Sequence, residues 1–352
     1  MLKQLRYLLL ITYNLLLITA LSAQQTEKVY LSGTGSNDTK QWEFMCTGGM
    51  NANKWTTIAV PSCWELQGFG KYDYGFAKDS VRGKEKGLYK YSFDVPASWK
   101  NKTVKIVFEG SMTDTDVKIN GQSAGDIHQG AFYAFKYDIT ELINYGKKNL
   151  LEVTVAKHSA NQSVNEAERK ADFWIFGGIF RPVYLEVFPD LHIENIEINA
   201  TADGGFFAFF DADNFRGKAQ VQIFDATGKL FAKAGAVPLG RTDVFSIDTT
   251  FLHPELWNPE SPYLYKAVFT IYKNGKPIHT VAQKFGFRTV KLKQRDGVYI
   301  NGVKVKLKGV NRHSFRPETG RTTSKQISIE DVLLMKDMNM NAVRMSHYPP
   351  DG

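Results

Sequence analysis

From about residue 26 to 190 the chain alternates apolar and polar positions in short runs separated by Gly, Asn and Asp. The clearest are Leu88-Tyr-Lys-Tyr-Ser-Phe-Asp-Val95, Val104-Lys-Ile-Val-Phe108, Val117-Lys-Ile-Asn-Gly121 and Leu150-Leu-Glu-Val-Thr-Val155. A period of two puts successive side chains on opposite faces of a strand, so these runs predict antiparallel sheets, most simply a sandwich or jelly roll. Asn120-Gly121 has the residue types of a hairpin turn. A second alternating segment, 191–289, is expected to hold strands near 193–199, 205–210, 219–224, 243–248, 264–272 and 279–286, with Asn274-Gly275 as another hairpin. Its length and strand number suit an immunoglobulin-like sandwich, with the boundary near Pro189-Asp190.

Past 290 the pattern changes. Val298-Tyr-Ile-Asn-Gly-Val-Lys-Val305 reads as a hairpin and Lys306-Leu-Lys-Gly-Val310 as a strand. Ser328-Ile-Glu-Asp331 has the spacing of a capping box, and Val332, Leu333, Met335 and Met338 continue it as a helix. Asn341-Ala-Val-Arg-Met345 is the next strand. Strand, helix and strand make a βαβ unit. One such unit cannot cover a parallel sheet on both faces, so 290–352 is expected to be the incomplete start of an α/β domain. The predicted fold is mainly β and multidomain.

Lys3 and Arg6 precede an apolar run, Leu8 to Leu21, that is broken by Thr12, Tyr13 and Asn14 and closed by Ala23. Residues 1–23 therefore read as a signal peptide, with Ala20 as an alternative end because Leu21 is bulky for the third position before a cut. No later apolar run reaches the roughly 18 residues of a membrane span. The mature chain is thus expected to be exported, periplasmic or secreted, and clear of the membrane. Cys46 and Cys63 allow at most one bridge, and in Pro61-Ser-Cys-Trp64 the thiol reads as a small buried hydrophobe.

Aromatic residues make up 13% of the chain, which favours sheets and ring-lined binding surfaces. The formal net charge is +8. Its basic residues alternate with apolar ones, as in Lys304-Val-Lys306-Leu-Lys308, and form no block, so nucleic acid is not an expected partner.

Asn165-Glu-Ala-Glu-Arg-Lys-Ala-Asp172-Phe-Trp174-Ile-Phe-Gly-Gly-Ile-Phe180-Arg181 gathers charge, rings and a Gly pair. Carboxylates and Arg can bond sugar hydroxyls while rings cover an apolar sugar face; the competing reading is a buttress in which Asp172 pairs with Arg181. Asn311-Arg312-His313-Ser-Phe-Arg316 and Ser346-His347-Tyr348 follow the two predicted parallel strands. Ligands bind at the carboxyl ends of such strands, so Arg312, His313, Arg344 and His347 are expected to share a polar pocket. Asp211-Ala-Asp213-Asn214 lacks the Gly and Glu of a calcium loop and reads as a turn. Gly33-Thr-Gly35 lacks the third Gly and the helix of a phosphate loop. Asn37, Asn101, Asn161 and Asn199 head Asn-x-Ser/Thr triplets that matter only in a glycosylating host.

Five stretches, in this order, resemble glycoside hydrolase family 2, the group of β-galactosidases, β-glucuronidases and β-mannosidases. They are Val60-Pro-Ser-Cys-Trp-Glu-Leu-Gln-Gly-Phe-Gly70, Asp172-Phe-Trp-Ile-Phe-Gly-Gly-Ile-Phe-Arg-Pro-Val183, Leu256-Trp-Asn-Pro-Glu-Ser-Pro-Tyr-Leu264, Lys308-Gly-Val-Asn-Arg-His313 and Asn341-Ala-Val-Arg-Met-Ser-His-Tyr-Pro349. The resemblance implies a jelly-roll sugar-binding domain (26–190), an immunoglobulin-like β-sandwich (191–289) and the truncated start of a (β/α)8 TIM barrel (290–352). It implies a retaining exo-β-glycosidase, β-galactosidase-like, acting on an oligosaccharide or polysaccharide, with a β-glucuronidase or a non-catalytic carbohydrate-binding fragment as alternatives. The two catalytic Glu are expected beyond Gly352, so none is named here. The glycone is expected to meet Asp172, Trp174, His313, Arg316, Arg344, His347 and Tyr348, and Asp172 is also expected to touch a monovalent cation. No cofactor is needed for the chemistry; a sodium or divalent cation and a homo-oligomer stay open. Arg316 and Lys84 replace a His and an Asn of the β-galactosidase branch, and the added positive charge would suit a sugar carboxylate.

Overall fold

A computed structural model describes residues 24–78, 82–212, 215, 217–238 and 244–350. The expected signal peptide, half of the rejected Asp211–Asn214 turn and the end at Gly352 lie outside them. The described residues form two compact units, one of 24–26 and 188–306, the other of 27–187 and 307–350.

The second unit contains the jelly roll. A six-stranded sheet runs in the order Thr56–Val60, Lys40–Cys46, Lys86–Val95, Lys147–Ala156, Asp114–Ile119, Gln122–Ser123. A four-stranded sheet runs Glu27–Tyr30, Val183–Pro189, Lys102–Phe108, Phe135–Asp138. Alternation sets the register: in Lys147–Ala156, Leu151, Val153 and Val155 are buried, and the strand pairs antiparallel with Lys86–Val95 from Lys147 opposite Val95 to Ala156 opposite Lys86. Inward residues of both sheets, among them Phe44, Val117 and Val153 from one and Ile106, Phe108 and Leu185 from the other, form one core. The hairpin expected at Asn120-Gly121 is present, with both residues at positive φ, 52° and 82°. Both cysteines are free and buried, which agrees with packing rather than bridging.

In the other unit seven strands run Ile196–Ala200, Gly205–Asp211, Val244–Thr250, Leu230–Pro238, Lys218–Phe224, Tyr265–Lys273, Lys276–Phe285 around a phenylalanine-rich core. Leu230–Pro238, absent from the expected strands, pairs with Lys218–Phe224 from Leu230 to Ala236 and with Val244–Thr250 through Val237 and Pro238. Its Ala- and Gly-rich sequence marks neither face, so alternation could not reveal it. The hairpin sheet Val290–Lys293, Gly297–Ile300, Val303–Val305 belongs to this unit rather than to the one holding the βαβ segment.

Gly309–Arg312 and Ala342–Met345 pair in parallel, with helix Lys325–Asp337 between them. Two boundaries differ from expectation. The strand lies further along than Lys306–Val310, and the helix starts earlier than Ser328. Its cap is Ser324, whose Oγ accepts the Ile327 N–H at 3.3 Å, while Ser328 Oγ accepts from Arg312 at 3.3 Å.

His279 is fully buried, and its Nδ1 accepts the Ile193 N–H at 3.0 Å while Nε2 meets Thr26 Oγ1 at 3.1 Å. A ring accepting at Nδ1 is uncharged, and burial, with repulsion from His192, pushes its pKa down to about 4. An unfolded chain takes up this proton near pH 6.5. The unfolded state therefore binds more protons below that point, and stability falls as pH drops toward 4, by up to about 3 kcal/mol. Denaturant melts at about pH 7.5 and about pH 4.5 check this: His279→Gln should be less stable at the higher pH and lose less on acidification.

Candidate functional site

The loop after helix Gln162–Glu168 is shaped by buried charge. Arg169 is buried and donates to the Lys157 carbonyl at 2.6 Å and the Phe176 carbonyl at 2.5 Å. Gly177 donates its N–H to the Glu65 carboxylate, 3.1 Å from each oxygen. A Cβ at Gly177 would fall 2.0 Å from the Trp64 ring, so only glycine fits. Glu65 is held at 2.7 Å by Lys157, which also meets Asp73 at 3.3 Å and Glu85 at 3.2 Å, all four side chains being buried. Burial pushes the Glu65 carboxyl up to about 7 against the pull of Lys157. For Lys157 burial alone would lower the pKa, but Glu65, Glu85 and Asp73 together raise it.

Past this anchor Trp174–Ile175 pairs with Asp73–Tyr74. Tyr74 donates its hydroxyl to Asp172 Oδ1. Trp174 is half exposed, with its ring edge-on to Tyr72 at 6.2 Å and Tyr74 at 5.7 Å. Arg181 does not pair with Asp172: it donates to the Phe132 carbonyl at 3.0 Å and the Pro349 carbonyl at 2.6 Å. The Asp172–Arg181 pair of the buttress reading is thus corrected, while Phe176 and Phe180 of this segment are buried in a core cluster. Arg181 ties the loop to the chain beyond the second parallel strand.

Asp172, Trp174, His313, His347 and Tyr348 line one cavity of about 500 Å³, together with Phe132, Tyr133, Glu168, Phe173, Phe315 and Arg321. His313 and His347 sit past the ends of the two parallel strands with rings 5.3 Å apart, edge to face. Arg344 donates to His347 Nδ1 at 2.9 Å. A guanidinium only donates, so Nδ1 is the acceptor and the neutral ring carries its proton on Nε2. Partial burial, then His347, Arg321 and Arg344, lowers the His313 pKa. Tyr348 stacks on Phe132 at 4.3 Å.

Three expected residues, Arg312, Arg316 and Arg344, do not line the cavity. Arg344 stands behind His347, within 3.2 Å of Ser346 Oγ. Arg316 is paired with Asp331 at 2.5 Å, and Arg312 holds the same carboxylate at 2.7 Å. Lys84 lines a different cleft. Sequence reading missed Glu168 and Arg321. Glu168 accepts the Ala131 N–H at 2.8 Å, and burial raises its pKa. Arg321 is buried over the rings of Tyr348 (4.6 Å), Phe173 (5.0 Å) and Phe132 (5.5 Å). No pattern marks Arg321 in sequence. Among the described residues no three His, Cys, Asp or Glu side chains gather as a metal group. Asp172 contributes one carboxylate, whose Oδ1 accepts from Tyr74.

The family description "Glycosyl hydrolases family 2, sugar binding domain" matches residues 42–189, "Glycosyl hydrolases family 2" matches 191–288, and "Glycosyl hydrolases family 2, TIM barrel domain" matches 290–352. The chain belongs to glycosyl hydrolase family 2. This family 2 chain is 32% identical over 323 residues to a β-galactosidase of Halalkalibacterium halodurans, covering 86% of this chain and 31% of that protein. It is 29% identical over 366 residues to a putative β-glucuronidase of Formosa agariphila, covering 98% and 42%. The structure of Bifidobacterium dentium β-glucuronidase matches with a TM-score of 0.76 at 25% identity, covering 94% of this chain and 59% of that one. The chain thus spans less than half the length of these two curated relatives.

Removing Lys157 from this family 2 fold leaves three buried carboxylates without their cation. Lys157→Met should cost about 3–5 kcal/mol, whereas Glu65→Gln, which leaves Lys157 two carboxylates, should cost less. Denaturant melts of the two variants measure the difference.

Proposed function

We propose that the whole protein is a retaining exo-β-glycosidase, β-galactosidase-like, and that this chain supplies its glycone-binding side. The observation that carries the reading is the meeting of Asp172 from the jelly-roll loop with His313 and His347 from the strand ends in one ring-lined cavity. Asp172 and Glu168 accept from sugar hydroxyls, His347 donates from Nε2, and Trp174 and Tyr348 cover the apolar sugar face. Membership of family 2 supports the hydrolytic chemistry. That chemistry needs two carboxyl groups about 5–5.5 Å apart, one as nucleophile and one as acid and then base. We assign them to barrel strands other than the two in this chain.

A β-glucuronidase is the second reading. It is favoured by the Formosa agariphila and Bifidobacterium dentium relatives and by the Arg321 guanidinium in the cavity. The other two cations that would suit a uronate, Arg316 and Lys84, are engaged or lie elsewhere.

The test is hydrolysis of nitrophenyl β-galactoside and β-glucuronide by full-length protein. The galactoside should be cleaved with retention of the anomer, and Asp172→Asn or His347→Ala should each lower kcat/KM about 10- to 100-fold. Cleavage of the glucuronide alone selects the second reading. Cleavage of neither, with folded protein, overturns both.

A further inference from the structure

A second cleft in the same unit, of about 850 Å³, shares no lining residue with the cavity around His313 and His347. Two side-chain atoms of its lining, Asp114 Oδ1 and His158 Nε2, are buried and have no hydrogen-bond partner. Asp114 is 8% exposed. Its other oxygen accepts the Ala160 N–H at 2.7 Å and the Gln129 amide at 3.3 Å, which fixes the carboxylate in place. A buried acceptor without a donor costs free energy until a donor reaches it. Burial, then the charges of Arg169 and Arg82, pushes His158 down to about 4, so its ring is neutral and can exchange hydrogen bonds with a hydroxyl.

The walls carry two further kinds of group. Phe76 and Ile127 are 62% and 58% exposed, an apolar surface for a sugar face. Lys78, Lys84 and Lys86 are exposed and hold no ion pair among the described residues. Glu166 does not neutralise them, since it is bonded to Lys170 and Gln162, each at 2.9 Å.

We infer that this cleft is a second, non-catalytic saccharide site, for an oligosaccharide bearing an anionic substituent, either a carboxylate or a sulfate. Hydroxyls of the sugar satisfy Asp114 and His158, the ring lies on Phe76, and the anion meets the lysines. A compact phosphate ligand suits the cleft less well, because the Asp114 and Asp116 carboxylates in its lining repel it and offer it no donor. The inference does not depend on which glycoside the other cavity takes.

Calorimetric titration of the chain with tetragalacturonate, a sulfated galactan tetrasaccharide and uncharged galactotetraose tests it. One or both charged probes should bind, the tighter one naming the substituent, and galactotetraose should bind about tenfold more weakly. Lys78→Ala with Lys86→Ala should remove that tenfold advantage. Phe76→Ala should weaken every probe about tenfold. His347→Ala, in the other cavity, should change none. The inference is overturned if no probe binds at about 10 mM, if the uncharged probe binds as tightly as the charged ones, or if affinity follows His347→Ala and ignores the cleft variants. Cleavage of nitrophenyl glycosides by full-length Lys78→Ala, Lys86→Ala protein should equal wild type. This separates failure here from failure of the glycosidase reading.

Discussion

The candidate site depends on one buried ammonium group. Lys157 directly follows the ten-residue strand Lys147–Ala156 and faces Glu65, Asp73 and Glu85, all of them buried. Burying four charges is costly, and mutual attraction offsets the cost only when the remaining lone pairs are also bonded. Backbone donors meet that condition: Gly177 for Glu65, Gly83 for Asp73 and Lys71 for Glu85. Each of these donors lies in a segment without regular structure. The cluster therefore converts the rigidity of a ten-residue strand pairing into fixed positions for three loops, including the loop that presents Asp172 and Trp174.

A second set of contacts fixes where the strand ends meet that loop. Arg181 donates to the carbonyls of Phe132 and Pro349. Arg321 lies over the rings of Phe132, Phe173 and Tyr348. Both guanidiniums are nearly buried; carbonyl oxygens accept from Arg181 and ring faces share the charge of Arg321. The βαβ segment is otherwise thinly supported. Leu333, Leu334, Val332 and Met338 on its helix and Val310 and Val343 on its strands are exposed, so its place in this unit depends on the ring and guanidinium contacts rather than on a core of its own.

Period-two alternation was enough to read the jelly roll, because its strands have one buried and one wetted face, and Asn-Gly pairs marked the hairpins at 120 and 274. It failed for Leu230–Pro238, where Ala and Gly on a strand that crosses between partners leave no amphipathic trace. It misplaced the helix start because two serines, Ser324 and Ser328, compete for the cap, and only backbone geometry decides. The strand-end argument put His313 and His347 together, and both line one cavity. It overreached for Arg312 and Arg344, which sit on Asp331 and on His347 instead, and Arg316, placed in the site by the family resemblance, is captured by the same helix carboxylate, Asp331. The Lys157 cluster was not legible at all. Its members are spread from 65 to 157, and each alone looks like an ordinary surface charge.

The two clefts divide charge in opposite ways. In the cavity with His313 and His347, partial burial together with neighbouring His and Arg lowers the His313 pKa, and burial raises that of Glu168 against the Ala131 N–H and Arg169. Both shifts favour uncharged forms, and the remaining cation, Arg321, is spread over three rings. A cavity with damped charge and fixed hydrogen-bond groups discriminates by hydroxyl pattern, where an unpaired polar group is penalised most. The other cleft keeps three lysines exposed and unpaired among the described residues, an arrangement that attracts over a distance set by ionic screening and tolerates variation in the ligand. The short helix Gln162–Glu168 stands between the two, contributing Ala167 and Glu168 to the first and Gln162, Asn165 and Glu166 to the second.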